Sequence, residues 1–83
     1  MSRTQRPVDT GDEWTCPEGW REISRGLFRH EGGAVCVIQH YRHESGLYHH
    51  SEYRAWSAGG EDRGGYQRED GWLDTAMAEA LRD

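Results

Sequence analysis

Four of the five histidines crowd one short stretch: His40, His43, His49 and His50 flank the turn signal Glu44-Ser45-Gly46. Imidazole titrates near neutral pH and is the commonest metal ligand, so the cluster could serve two chemistries. The first is metal binding. A three-residue turn sets His43 opposite Leu47 and His40 opposite His50, and strand alternation then places Cys36 on the same face as both. Cys36, His40 and His50 are the candidate ligands. Their spacing follows no zinc pattern: there is no C-x-x-C and no H-E-x-x-H, and adjacent His49 and His50 point to opposite faces of a strand. The expectation is a protein that needs no metal and no other cofactor. The second chemistry is acid–base hydrolysis. His40, His50, Glu52, Arg42, Arg54 and Tyr48 include the proton donors, acceptors and phosphate-binding cations that a metal-independent nuclease requires. Any polar strand in a chain rich in Arg and His yields the same set, so the expectation is a protein that is not an enzyme.

Composition narrows the classes further. The 83 residues carry 15 acids and 10 bases, a net charge of −5. Every base is Arg. The absence of Lys excludes a Walker-type phosphate loop and Schiff-base chemistry, and the absence of Asn excludes N-glycosylation. The ends are acidic and the middle near neutral. The last segment, 61–83, sets Arg63, Arg68 and Arg82 against seven acids. Such a balance disfavours tight direct binding to nucleic acid, which wants positive potential, and suits a partner with a basic surface. Met1 to Thr10 has no apolar run, the longest apolar stretch is Ala34 to Ile38, and two cysteines are too few for a secreted disulfide scaffold. A cytoplasmic protein with free thiols and no membrane contact is expected.

The aromatics offer a different use of the same strands. Tyr41, Tyr48, Tyr53 and Trp56 could stack the bases of a single strand, or half of them could form the core. Alternation sends Val35, Val37 and Tyr41 with Tyr53 and Ala55 toward the helix. Tyr48 and Trp56, with Cys36, Ile38, Glu52 and Arg54, then occupy the opposite face. Apolar and aromatic side chains among charges resemble a protein-binding patch, and Trp, Tyr and Arg dominate interface hot spots. The candidate partner-binding residues are Tyr48, Glu52, Arg54 and Trp56, flanked by Glu61 and Asp62, whose charge would steer the chain toward a basic target.

These residues need elements to position them. Residues 1–10 read as a flexible tail and 11–83 as one domain. Gly19 to Ile23 reads as a strand or a turn. Gly26 to His30, Ala34 to His43 and Leu47 to Ser57 read as strands joined by Gly-rich turns, Ser57 to Gly65 as a loop, and Tyr66 to Glu69 as a short fourth strand. Asp70 is a plausible N-cap for a helix from Trp72 to Arg82, in which Leu73, Ala76, Met77, Ala80 and Leu81 form one apolar stripe. The implied fold class is α+β: an antiparallel, three- to four-stranded β-meander packed against one C-terminal amphipathic helix.

Short length, acidity, a sheet-plus-helix plan ending in the helix Trp72 to Arg82 and the lack of a catalytic signature resemble, in general character, the small anti-defence proteins of phages and mobile elements, anti-CRISPR proteins among them. Those proteins share no motif, so no residue role carries over. The resemblance implies a protein-binding inhibitor that blocks a nucleic-acid-binding or recruitment surface of a larger protein or ribonucleoprotein complex, acting as a monomer or weak homodimer. Two alternatives stay open: a small nucleic-acid-binding sheet using Arg21, Arg25, Arg29, Arg42 and Arg54, and a small nuclease or metal-binding protein built on the histidine hairpin.

Overall fold

The computed structural model describes residues 14–42, 44–46 and 49–82. Five strands follow one another: β1 (Trp20–Ser24), β2 (Leu27–His30), β3 (Val35–Arg42), β4 (His49–Trp56) and β5 (Asp62–Tyr66). Each pairs antiparallel with the next, so the sheet order is β1-β2-β3-β4-β5. A 3-10 turn at Arg68–Asp70 leads into α1 (Trp72–Leu81), which lies against β3, β4 and β5. The α+β meander with a C-terminal helix is thus present, with five strands rather than three to four. The proposed tail, residues 1–10, lies outside the described residues.

The extra strands come from segments whose composition argues weakly for strand. Trp20–Ser24 pairs with β2 through Trp20↔His30, Arg21↔Arg29 and Glu22↔Phe28. β5 forms inside the glycine-rich stretch read as a loop, and only Tyr66 of the expected strand 66–69 belongs to it. Two glycines make β5 fit. Gly64 holds φ +95 beside the irregularity where Ala55 pairs Gly64 and Trp56 pairs Asp62. At Gly65, a Cβ would come within 2.5 Å of the Glu52 carboxyl, so a bare backbone leaves room for that side chain.

The core lies between the sheet and the helix. Phe28, Cys36, Tyr53 and Ala55 are fully buried beneath Trp72, Leu73, Ala76, Met77 and Ala80. The Tyr53 ring stands 6.3 Å from Phe28 and 5.2 Å from Trp72, and Trp14 closes edge-on over Phe28 at 5.7 Å. The Trp14 indole also donates to Asp74 Oδ1 on the helix, at 3.4 Å, which ties the lead-in to α1. A few large side chains, Trp20, Phe28, Tyr53, Trp72, Leu73 and Met77, therefore carry a thin core, as a small domain requires.

The helix differs from expectation in two details. Gly71, at φ +93, is the N-cap in place of Asp70. The Asp70 carboxylate instead accepts the Gln67 N–H at 3.2 Å, and its carbonyl accepts the Thr75 hydroxyl at 2.7 Å. Trp72 follows at φ +51, and this second left-handed residue turns its indole into the core, where it is 2% exposed. Trp72 in the stripe moves the stripe's centre about 100° away from Leu81, at 3.6 residues per turn. Leu81, expected in the core, is 47% exposed.

The largest correction is one of register. The observed β3–β4 pairs are Cys36↔Ala55, Val37↔Arg54, Gln39↔Glu52, His40↔Ser51 and Tyr41↔His50. The pairing inferred from a three-residue turn is one residue off, and a one-residue slip sends every side chain of a strand to the opposite face. Cys36 and Ile38 face the helix with Tyr53 and Ala55. Val35, Val37 and Tyr41, expected in the core, lie on the other side with Arg54 and Trp56.

Candidate interaction surface

The face of the sheet opposite α1 is covered by no other element among the described residues. Its side chains line up in cross-strand rows. One row runs Arg21, Arg29, Val35, Trp56, Asp62 from β1 to β5. The next runs Leu27, Val37, Arg54, Gly65, and beyond it lie the pairs Gln39–Glu52 and Tyr41–His50. Leu27, Val35, Val37 and Trp56 are each half-buried, so the middle of the face is an apolar strip with charge at both ends.

Arg54 organises the β4–β5 end. Its Nη2 donates to both oxygens of Asp62, at 2.9 and 2.8 Å, and its Nη1 donates to Glu52 Oε2 at 3.1 Å. The guanidinium carbon stands 5.9 Å from the Trp56 ring centroid, within cation–π range. Glu52 also accepts the Tyr41 hydroxyl at 2.9 Å, and Tyr41 stacks on His50 at 5.0 Å and 25°. The Tyr41 hydroxyl is held above the usual phenol range, chiefly because it donates to Glu52. The Glu52 carboxylate is the main force raising the Arg54 guanidinium. Asp62 sits below the ordinary carboxylate range, first because it accepts the Gly64 N–H at 2.8 Å and then because of Arg54. Arg54 and Asp62 are therefore charged at neutral pH, the Tyr41 phenol stays protonated, and the hydrogen bonds hold the group in place.

The β1–β2 end is different. Arg21 and Arg29 face each other directly across the strands, both exposed, and neither has an ion-pair partner among the described residues. Like charges directly opposite in a sheet are unfavourable for folding by roughly 0.2–1 kcal/mol. A cleft of about 460 Å³ opens beside them, lined also by Gly19, Trp20, His30 and Glu31.

Of the six candidate residues, Glu52, Arg54, Trp56 and Asp62 come together here. Glu61 does not: its carboxylate turns to Arg63, at 3.0 Å, and Arg63 in turn donates to the Arg82 carbonyl at the end of the helix. Tyr48 lies outside the described residues. Arg21, Leu27, Arg29, Val35, Val37 and Tyr41 belong to the face and were missed as a set, because their side follows from the register alone. The metal candidates are split. Cys36 and His40 point to the helix side, where His40 Nδ1 lies 2.7 Å from the Ser51 hydroxyl, while His50 is on the other face beside Tyr41. Among the described residues no group of three His, Cys, Asp or Glu stands together as a metal site would. Burial pushes the Cys36 thiol up to about 12, so it is not poised as a thiolate. The acid–base set is divided in the same way, with His50 and Glu52 on the open face and His40 behind the sheet. Glu52, its only carboxylate, is already bound to Arg54 and Tyr41.

The described helix is not long and apolar enough to cross a membrane. No protein family, no curated protein and no solved structure matches the chain.

Proposed function

We propose that the protein works by binding another protein through the helix-free face of its sheet, without catalysis, as a stoichiometric inhibitor that covers a nucleic-acid-binding or recruitment surface of a larger complex, in the manner of anti-CRISPR proteins. One observation carries this reading: Leu27, Val35, Val37 and Trp56 form an apolar strip across three strands, β2 to β4, on a face that nothing else covers among the described residues. Aliphatic side chains beside a Trp fit the apolar surface of a protein better than stacked bases, which want open aromatic faces. Arg54 is already held over Trp56 by two carboxylates, so little side-chain entropy is lost when a partner orders it. On the far layer, the acids Glu69, Asp70, Asp74 and Glu79 outnumber Arg68 and Arg82. A chain seated on its sheet face turns that layer outward and repels nucleic acid from the covered site.

The test is capture from the cytosol of the organism that encodes the chain, followed by a dissociation constant for the recovered partner. Trp56→Ala combined with Val37→Glu should weaken binding at least tenfold, about 1.4 kcal/mol, with little change in melting temperature. A double variant that folds and binds the partner as well as wild type would move the interface off this face.

A further inference from the structure

The same face is complementary to itself. Its β1–β2 end presents Arg21 and Arg29, two positive charges without partners among the described residues. Its β4–β5 end presents Glu52 and Asp62 against Arg54 alone, one net negative charge. Apolar Val35 and Val37 lie between, on the middle strand of five.

We propose that the free protein pairs with a second copy of itself through this face, sheet on sheet, about a two-fold axis running along β3. Such an axis reverses strand order, so β1 of one copy lies over β5 of the other and β2 over β4. The first row then meets its own reverse: Arg21 reaches Asp62, Arg29 lies over Trp56, and Val35 packs on Val35. Every contact off the axis occurs twice, as an isologous interface requires. Aligned packing with a crossing near 30° is the ordinary arrangement of two twisted sheets, and long arginines bridge the small offsets it leaves at the ends. Two layers of sheet enclosed by two helices give the apolar strip the cover that the described residues of a single chain do not supply.

The area sets the strength. Four strand spacings of about 4.8 Å and a β3 of eight residues at about 3.3 Å each frame roughly 500 Å² per copy. A total near 1,000 Å² is at the bottom of the range for specific interfaces, so the dimer is weak, with a dissociation constant of roughly 10–100 μM. A heterologous partner must compete with it, and the dimer shields the apolar strip until that partner is met. The inference does not depend on who the partner is. A strictly monomeric chain that captured a partner through Trp56 would overturn the dimer and leave the inhibitor reading intact.

Sedimentation of the full chain from about 5 to about 500 μM reads the equilibrium directly. The mean mass should climb from 9.6 kDa toward twice that value, and less steeply at high salt. Arg21→Asp and Asp62→Arg should each raise the dissociation constant about tenfold or more, whereas the double variant should return to within about threefold of wild type. Arg21 and Asp62 stand at opposite edges of one sheet, so rescue can only arise between copies. Val35→Arg, which meets itself on the axis, should abolish the dimer while keeping every ion pair of Arg54, and decides the matter if Asp62→Arg fails to fold. A monomer at the highest concentration overturns the proposal, whatever else covers the face. So does a dimer that ignores Arg21→Asp and Val35→Arg, because association would then run through another surface such as the β1 edge.

Discussion

Substituting Asp at two apolar positions of α1 separates burial from pattern. Met77 and Leu81 both belong to the helical stripe in the sequence, yet Met77 is 3% exposed and Leu81 47%. Truncating a buried methionine costs about 2–5 kcal/mol through lost transfer energy and the cavity left behind. A carboxylate at that site adds the penalty of a buried charge, since its neighbours along the helical stripe, Leu73, Ala76 and Ala80, carry no side-chain donor. Met77→Asp should therefore cost at least about 3 kcal/mol. For a domain of this length each kcal/mol lowers the melting temperature by about 4–8 °C, so the loss is about 12 °C or more. Leu81→Asp keeps its charge in water and meets only the unfavourable dipole of the helix C-terminus, about 0.3–1 kcal/mol, or a fall of no more than about 8 °C. Thermal melts followed by circular dichroism at neutral pH measure both. If Met77→Asp melts within about 4 °C of wild type, or Leu81→Asp falls as far as Met77→Asp, the helix does not pack as described.

Thiol labelling should distinguish the two cysteines: native protein should take up reagent at half-buried Cys16 and not at Cys36, and denatured protein should take up two equivalents. Rapid native labelling of Cys36 would show that the sheet opens from the helix. Asp62 should contribute to acid sensitivity. Its folded carboxyl sits below its unfolded value, so the stabilisation is complete above about pH 4 and fades as pH falls through the folded value. Between pH 7 and pH 2 the melting temperature of wild type should fall more than that of Asp62→Asn. Parallel curves would show that the Gly64 and Arg54 bonds do not persist in solution.

The fold was legible where local chemistry and burial agree. The Glu31-Gly32-Gly33 turn, with Gly33 at φ +110, closes the β2–β3 hairpin, and the helical stripe finds the core through Leu73, Ala76, Met77 and Ala80. The register of β3 against β4 was not legible. Val35, Cys36, Val37 and Ile38 place apolar side chains on both faces, so hydrophobic alternation cannot choose between two pairings that differ by one residue. The turn between the strands does not settle it either. Strand β4 escaped the ambiguity because charged Glu52 and Arg54 alternate with Tyr53 and Ala55, which are fully buried, so four of the six candidate residues were found although the β3 half of the face was inverted. β5 was hidden for a different reason. Its glycines are required by the Glu52 carboxyl above Gly65 and by the positive φ of Gly64, constraints set by pairing with β4 and not by the glycine-rich segment itself.

That network also changes the electrostatic reading. A net charge of −5 and the acids of 61–62 suggested steering toward a basic target. Yet Asp62 is bonded to Arg54 and Glu61 to Arg63, so the two acids meant to steer are each matched by a guanidinium at about 3 Å. Taken as a whole the sheet face carries Arg21, Arg29 and Arg54 against Glu52 and Asp62, a surplus of one positive charge. The helical layer sets Glu69, Asp70, Asp74 and Glu79 against Arg68 and Arg82, a surplus of two negative charges. A basic target therefore attracts the layer that does not carry the apolar strip. Contact through the sheet must be selected by shape and apolar burial, with the fixed ion pairs setting orientation, and its association rate should depend little on ionic strength. A steep acceleration at low salt would instead mark the helical layer, with Glu69 and Asp70 at its start, as the surface that meets the partner.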